Sequence, residues 1–269
     1  RLCPRADSQP ERLSCTNRPR AGVDVTSGIR AKPGHNRVIC ATLVGVDDVL
    51  RQAPLFTALD DEAAAALQAS TVEVRLSKGQ DLFLEGEPGD RMFVITEGKV
   101  KLGHTAADGR ESLLAILGPG ELLGELSLFD PGPRTATATA LTDATLIAVG
   151  HSALRPWLTG RPEVAEALLQ ALAQRLRRTN EAMADLVFSD VPGRIAKILL
   201  ELGDKFGRQM PDGLHVTHDM TQEELAQLVG ASRETVNKAL ADFASRGWIR
   251  LESRSVVLID IDRLQKRAR

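Results

Sequence analysis

The sequence predicts an α+β fold, in which an N-terminal β-roll is followed by a long helix and then by a C-terminal winged helix-turn-helix. Three observations predict it. Residues 71–150 contain short strand-like runs separated by Gly-rich turns, which are typical of a sandwich, roll or barrel. Residues 161–190 carry apolar side chains three or four positions apart, as one long helix does. After Val191, amphipathic helical patterns precede short alternating strands.

The composition is that of an ordinary globular protein and excludes several other classes. The chain has 269 residues, of which 43% are hydrophobic and 26% charged, and these are ordinary globular values. No apolar run reaches the length of about 18 residues that a membrane span needs. No cysteine follows Cys40, so the folded region cannot hold an iron–sulfur cluster or another thiolate metal site. The scarcity of aromatic residues argues against a stacking platform for single-stranded nucleic acid.

The charge is unevenly distributed along the chain. The net charge is −9 over residues 41–190 and +2 over residues 191–269, which suggests two domains with different partners. Residues 1–45 are rich in Pro and Arg and have no apolar period, so we expect a disordered or non-native leader. A transit peptide is the weaker alternative. The predicted domains are the β-roll at 46–160, a dimerisation helix at 161–190 and a DNA-binding domain at 191–269. Asp60 is predicted to cap a short helix at 61–67.

The long helix carries a single apolar stripe. Pro162 suits its first turn, and Pro192 ends the pattern. A stripe of this length often forms a coiled-coil seam, which predicts a homodimer. The alternative is a helix that lies on its own domain. The stripe consists of Leu168 or Leu169, Leu172, Leu176, Thr179, Met183 and Leu186.

The sharpest motif is TQEELAQLVGASRETVNKALADFASRGWI, which begins at Thr221. Thr221 and Glu224 form a capping box, Gly230 permits a tight turn, and Ser232 caps the next helix. That helix begins with polar side chains at the place where a recognition helix meets base edges, and the following strands would form a wing against the phosphates. The motif predicts binding of double-stranded DNA, with a helical hairpin for protein contacts as the alternative. The predicted DNA-binding residues are Ser232, Arg233, Glu234, Thr235, Asn237 and Lys238.

A second motif, LLGELSLFDPGPRTATA, spans residues 122–138. Gly124 and Glu125 open a possible short helix whose free N–H groups suit a phosphate. An inward-facing Arg134 would be costly in an apolar roll unless an anion neutralised it. The residues alone leave a second possibility equally open, in which an exposed Arg134 pairs with Asp130 at little gain.

These motifs together resemble the cyclic AMP receptor protein and fumarate-nitrate regulator family of bacterial transcription regulators. The segments GELSLFDPGPRT, RLRRTNEAMADL, DVPGRIAKILLEL and GASRETVNKAL match the family in order and spacing over residues 46–269. The match is closest to the actinobacterial global regulators of the GlxR type. The resemblance also places Val46 where the relatives begin, so residues 1–45 are interpreted as over-called upstream sequence.

The resemblance implies a set of cAMP contacts. Glu125 would take the ribose 2′-hydroxyl, Arg134 the cyclic phosphate, and Thr179 with Asn180 the adenine, one from each subunit. Asn180 stands where many relatives have Ser. In the DNA-binding domain, Arg233, Glu234 and Lys238 match the base readers of a TGTGA-type half-site, and Lys238 replaces a common Arg. The full set of implied cAMP-binding residues is Gly124, Glu125, Leu126, Ser127, Arg134, Thr135, Thr179 and Asn180.

The predicted protein is a cytoplasmic, homodimeric, cAMP-responsive regulator of palindromic operators. It is not an enzyme and has no catalytic cofactor or metal; cAMP is its allosteric ligand, and RNA polymerase is a further expected partner. One alternative is a regulator of the same fold that binds DNA constitutively or answers to another effector. Haem or redox sensing is poorly supported, since His104 is the only histidine in the strand-rich region. A regulated enzyme lacks any P-loop, kinase loop, G-x-S-x-G or HExxH motif.

Overall fold

The computed structural model describes residues 71–106 and 108–269, with the backbone alone at Trp157. The predicted leader at 1–45 and the predicted helix at 61–67 lie outside these residues. The described chain begins with strands separated by tight turns, as the alternating pattern predicted. These elements are β1 (Thr71–Leu76), β2 (Asp81–Phe83), β3 (Arg91–Glu97), β4 (Val100–Thr105), β5 (Glu111–Leu117), β6 (Leu122–Leu123), α1 (Leu126–Phe129), β7 (Thr137–Ala140) and β8 (Ala144–Gly150).

The strands form a β-roll of two antiparallel four-stranded sheets. One sheet has the order β1-β8-β3-β6 and the other the order β2-β7-β4-β5. Alternation along the strands places apolar side chains between the sheets, where Ile95, Leu102 and Leu146 are buried. The predicted roll is confirmed, and it brings β6, α1 and the start of β7 together at one end of the fold.

Two helices follow the roll. They are α2 (His151–Gly160) and α3 (Pro162–Phe188). The sequence patterns did not predict α2, whose Leu154 packs with Val149 on the outer face of the first sheet. The 27-residue α3 has Pro162 in its first turn, as predicted.

The first part of α3 follows the alternative interpretation, in which the helix lies on its own domain, and the coiled-coil seam stays a prediction. Val164 and Leu168 are buried against the roll, so the first turns lie on their own domain. Further along the helix Leu169, Leu176 and Met183 are 61%, 62% and 62% exposed. A stripe of large apolar side chains therefore faces outward on α3, seven residues apart.

The rest of the chain, residues 191–269, forms a second domain, called here the head. Asp190 caps the first helix of the head by accepting a hydrogen bond from the Gly193 amide. The strands form one antiparallel sheet in the order β11-β12-β10-β9. The elements are α4 (Val191–Phe206), β9 (Gly207–Met210), β10 (Gly213–Thr217), α5 (Gln222–Val229), α6 (Arg233–Ser245), β11 (Ile249–Glu252), β12 (Ser255–Leu258) and α7 (Ile261–Arg267).

The hairpin of β9 and β10 differs from the expectation that the region before the helix-turn-helix is helical. The stretch Gly207–Thr217 is too short and too rich in Gly and polar residues to show a clear period. Its second strand, β10, pairs with β12, about 40 residues further along the chain, and β9 pairs with β10. The predicted two-stranded wing is therefore one edge of a four-stranded sheet.

Candidate nucleotide pocket and DNA interface

A buried guanidinium lies at the end of the roll. Arg134 is only 7% exposed, so the alternative in which it pairs with Asp130 in solvent is wrong. Its Nη1 donates to the Gly124 carbonyl oxygen (3.0 Å) and to Ser127 Oγ (3.3 Å), and its Nη2 donates to the Arg91 carbonyl oxygen (2.8 Å). Burial lowers the pKa of Arg134, while the nearby Asp90 carboxylate opposes that shift. Arginine nevertheless remains a cation, because its unperturbed pKa is above about 12.

Glycine and aromatic side chains shape the space around Arg134. Gly124 has φ +78°, and a Cβ built there would lie 2.5 Å from Arg134 Nη1, so any larger residue would displace the guanidinium. Gly89 makes a similarly close approach, with its built Cβ 3.1 Å from Arg134 Cζ. Phe83 lies under the cation, with its ring centroid 4.3 Å from Cζ. Arg134 is therefore held in one position by contacts that include no ion pair.

Glu125 is the carboxylate of the same cleft and is 3% exposed. Its Oε1 accepts a hydrogen bond of 2.6 Å from Arg175 Nη1, which reaches over from α3. Its Oε2 is buried without a hydrogen-bond partner, as is Arg134 Nε. Because buried polar atoms are normally paired, these two atoms mark places for a ligand's hydroxyl group and anion. The cleft is also lined by Leu126, Ser127 and Thr135.

The second candidate site is the helix-turn-helix in the head. The capping box at the start of α5 is present as predicted, with Thr221 Oγ1 accepting from the Glu224 amide and the Glu224 carboxylate accepting from the Thr221 amide. Gly230 ends α5 in the left-handed conformation (φ +69°), which favours glycine. Ser232 Oγ then caps α6 by accepting from the Thr235 amide at 3.2 Å.

One face of α6 packs into the head, and the opposite face is open. Val236 and Phe243 are 0% and 1% exposed and anchor the helix. Arg233, Glu234 and Lys238 are exposed near its N-terminus. This arrangement presents guanidinium, carboxylate and ammonium groups on one rigid element, as a recognition helix in the major groove does.

The wing is held against the segment that leads into the helix-turn-helix. Arg254 forms the turn between β11 and β12 with φ +55°. Its carbonyl oxygen accepts from the backbone amides of His218 and Asp219. The wing turn is therefore joined to the segment that leads into α5.

Comparison with known proteins gives a family match for each of the two domains. Residues 73–159 match the cyclic nucleotide-binding domain, and residues 193–267 match the Crp-like helix-turn-helix domain. The chain is 56% identical over 224 residues to a CRP-like cAMP-activated global transcriptional regulator of Mycobacterium tuberculosis, covering 83% of this chain and 100% of that protein. The chain belongs to the CRP family of transcription regulators.

Two further relatives show the breadth of the CRP family. The chain is 36% identical over 203 residues to the cyclic AMP receptor protein of Thermus thermophilus, covering 75% of this chain and 90% of that protein. The structure of CLP, the c-di-GMP responsive global regulator of Xanthomonas campestris, superposes with a TM-score of 0.65 at 26% identity, covering 74% of this chain and 99% of that one. These relatives are transcription regulators, as the sequence analysis predicted, and not enzymes.

The structure brings most, but not all, of the predicted cAMP-binding residues to the cleft. Gly124, Glu125, Leu126, Ser127, Arg134 and Thr135 all line the cleft. Thr179 and Asn180 are exposed on α3 and do not line it. The Thr179 hydroxyl donates to the Arg175 carbonyl oxygen, one turn earlier. Their predicted contact with adenine therefore stays a prediction.

The predicted DNA-binding residues of the head also differ from one another in their exposure and contacts. Ser232 and Thr235 hydroxyl groups lie 2.8 Å apart and take part in the cap of α6. Asn237 is half-buried, and its Oδ1 is buried without a partner. Arg233, Glu234 and Lys238 are therefore the predicted residues best placed to meet base edges.

Sequence reasoning missed three residues of the nucleotide site. Arg175 lies four residues before Thr179, on the same face of α3, and that spacing was the available signal. Phe83 and Gly89 were unmarked because a strand phenylalanine and a turn glycine are common. Only the approach of distant segments to Arg134 distinguishes them.

Among residues 71–106 and 108–269, no group of three or more His, Cys, Asp or Glu side chains is placed to hold a metal ion. No helix in these same ranges is long and apolar enough to cross a membrane.

Proposed function

We propose that this chain is a cytoplasmic, cAMP-responsive regulator that binds palindromic operators as a homodimer. The observation that carries the proposal is the pair of buried, unpartnered atoms in the cleft, Arg134 Nε and Glu125 Oε2. One is a cationic donor and the other is an anionic acceptor. A ligand that offers an anion on one side and a hydroxyl group on the other satisfies both.

Cyclic AMP has this chemistry. Its cyclic phosphate carries one negative charge, and the Arg134 donors not used by protein oxygens suit two phosphate oxygens. The ribose 2′-hydroxyl donates to Glu125 Oε2. Leu126 and Thr135 complete the walls. The relative from Mycobacterium tuberculosis is named for activation by cAMP, which supports the same ligand here.

The outward stripe on α3 supports the homodimer. Leu169, Leu176 and Met183 recur every seven residues, which is the spacing of one seam position of a coiled coil. Two copies of α3 side by side would cover these side chains. The same pairing would bring Thr179 and Asn180 of the two subunits towards the two adenines.

The dimer presents two recognition helices related by a two-fold axis. Such helices bind half-sites separated by one helical turn, about 34 Å, which implies a palindromic operator. In this proposal Arg233, Glu234 and Lys238 read a TGTGA-type half-site, with Arg233 on guanine and Glu234 on cytosine. RNA polymerase is the further partner that a regulator bound at a promoter would meet.

The test is operator affinity titrated against cAMP at fixed salt. A labelled palindromic TGTGA-type duplex and a scrambled duplex of equal length are compared, because salt alone changes non-specific affinity by orders of magnitude. We expect cAMP to tighten binding to the palindrome and not to the scrambled duplex. Operator binding that does not change with saturating cAMP would contradict the proposal.

A second candidate effector is c-di-GMP, since the similar fold of CLP belongs to a c-di-GMP responsive regulator. That ligand carries two phosphates. Within the described cleft, Arg134 is the only fully buried cation, and Arg175 is already paired with Glu125. The geometry favours the ligand with one phosphate. Calorimetry with each nucleotide separates the two candidates.

A further inference from the structure

The head is packed directly against its own roll. Leu113 and Ile116 of β5 belong to the same apolar cluster as Leu225 and Val229 of α5. Gly118, just after β5, packs closely against the Phe206 ring at the end of α4. A Cβ built on Gly118 would lie 2.5 Å from that ring. This contact surface joins the domain that holds the nucleotide site to the domain that holds the recognition helix.

Ion pairs also join the two domains across this surface. Some pair a cation of the roll with a carboxylate of the head, and one pairs a carboxylate of the roll with a cation of the head. Two cations of the roll meet head carboxylates: Lys99, just before β4, lies 2.6 Å from Asp219, and Lys101 on β4 lies 2.6 Å from Glu224. The Lys99 ammonium also donates to the Thr217 carbonyl oxygen. These pairs orient the head, because the first requires a particular position of the segment before α5, and the second a particular position of α5 relative to β4.

Glu121 in the roll makes the reverse contact. Its two carboxylate oxygens lie 2.8 and 3.1 Å from Lys205 Nζ on α4. Oε2 accepts from the Gly118 amide at 2.8 Å, and Oε1 lies 3.5 Å from Arg178 Nη1 on α3. The Lys205 ammonium also donates to the Ile116 carbonyl oxygen. One carboxylate thus connects the roll, the long helix and the first helix of the head.

Glu121 is also close in sequence to the nucleotide site. Four positions separate it from Glu125, with β6 between them. The long helix holds both carboxylates, since Arg175 pairs with Glu125 and Arg178, one turn later, pairs with Glu121. Any shift of Glu125 relative to α3 therefore acts on the segment 121–125. The other end of this segment, Glu121, is held by the head.

We infer that Glu121 is the residue that couples the nucleotide pocket to the head within one subunit. This inference rests on the proposed function, and it names the contact through which that regulation acts. Glu121 is a positioning residue: it touches neither the buried cleft atoms nor the recognition helix. Its role is to make the position of α4 depend on the segment 121–125. An isolated exposed ion pair contributes little, but Glu121 is bonded to three separate elements.

The test measures coupling, defined as the ratio of operator Kd without cAMP to operator Kd with saturating cAMP. Glu121→Gln retains an amide oxygen for the Gly118 amide and removes the charge that Lys205 and Arg178 require. We expect this ratio to fall by about threefold or more. The effect of operator on cAMP affinity falls by the same factor, because coupling between two binding sites is reciprocal. Glu111→Gln, at an exposed position on β5, is the matched control and keeps the wild-type ratio.

A double-mutant cycle identifies the contact. If Glu121 acts through Lys205, the double variant Glu121→Gln with Lys205→Met loses no more coupling than either single variant. Gly118→Ala is an independent probe, since its added methyl group displaces Phe206 without changing any charge. It also lowers the ratio, and it serves if the charge variants fail to fold.

Three results would overturn the inference. The first is a Glu121→Gln variant that keeps the wild-type ratio. The second is a cycle in which the two losses are additive. The third is a large loss of cAMP affinity in the DNA-free variant, which would make Glu121 part of the pocket. A wild-type chain with no coupling contradicts the proposed function itself, so the two failures are distinguishable.

Discussion

Arg134→Leu is the most direct test of the nucleotide pocket. The substitution removes a guanidinium that is 7% exposed and has no ion pair in the described structure. We expect it to abolish measurable cAMP binding while the protein stays folded. The physical reason is that the charge is held for a ligand anion and not for a carboxylate of the same chain.

The magnitude follows from the hydrogen bonds. A guanidinium has five N–H donors, and three contacts join Arg134 to Gly124, Ser127 and Arg91. The remaining donors suit two phosphate oxygens. Two hydrogen bonds to a charged group, at about 1.5–3 kcal/mol each, amount to about 3–6 kcal/mol. The expected loss of affinity is about 10²- to 10⁴-fold.

Stability should change much less. The variant leaves the carbonyl oxygens of Gly124 and Arg91 without their donor, which is unfavourable. It also removes a buried charge in favour of an apolar side chain, which is often neutral or stabilising. We expect the free energy of unfolding to change by no more than about 2 kcal/mol.

The assay is isothermal titration calorimetry with cAMP, paired with urea unfolding. Arg110→Leu is the matched control, since the Arg110 side chain is 84% exposed in the β4–β5 turn, where it pairs with Asp108. It should bind cAMP as the wild type does. A Kd for Arg134→Leu within about threefold of the wild-type value would refute the assignment of Arg134 to the phosphate.

Three further predictions concern the head and the dimer. Glu234→Ala should relax the preference at one base position of each half-site, whereas Arg254→Ala should weaken all sequences alike and reduce the salt dependence of binding by about one ion; a binding selection at two salt concentrations distinguishes these outcomes. Leu176→Asp should dissociate the dimer, since two buried leucines contribute about 3–6 kcal/mol; sedimentation should show monomers for this variant and wild-type behaviour for Gln174→Ala on the opposite face of α3. Burial lowers the pKa of His218, so the folded protein binds fewer protons than the unfolded chain below the ordinary pKa near 6.5. Stability should therefore fall between pH 7.5 and pH 5.5, and His218→Gln should reduce that fall; an unchanged pH dependence of urea midpoints would show that another group is responsible.

The sequence predicted those elements whose caps, turns and alternation involve only neighbouring residues. The capping box at Thr221 and Glu224, the turn at Gly230 and the cap at Ser232 all involve residues within a few positions of one another. The strands of the roll were visible because each alternates and is bounded by turn residues. The hairpin Gly207–Thr217 was missed, since its stability comes from pairing with β12 and not from its own residues.

The residues of the candidate nucleotide site were likewise only partly predictable from local patterns. Gly124, Glu125, Ser127 and Arg134 stand in one motif, so a single segment indicated them. Arg175 lies 50 positions from Glu125 and reaches it only because α3 crosses the end of the roll. No local pattern encodes that crossing.

By itself, the sequence determined the order of the domains, the two motifs and the family, since each is written in neighbouring residues. Only the tertiary structure decided whether Arg134 is buried or exposed, because the two alternatives differ in what surrounds the side chain and not in the residues beside it. The contact of Glu121 with Lys205 was likewise decided by the docking of the head on the roll, and its contact with Arg178 by the position of α3. Charge pairs across a domain surface depend on distances between segments far apart in the chain, which are determined only when the core packs.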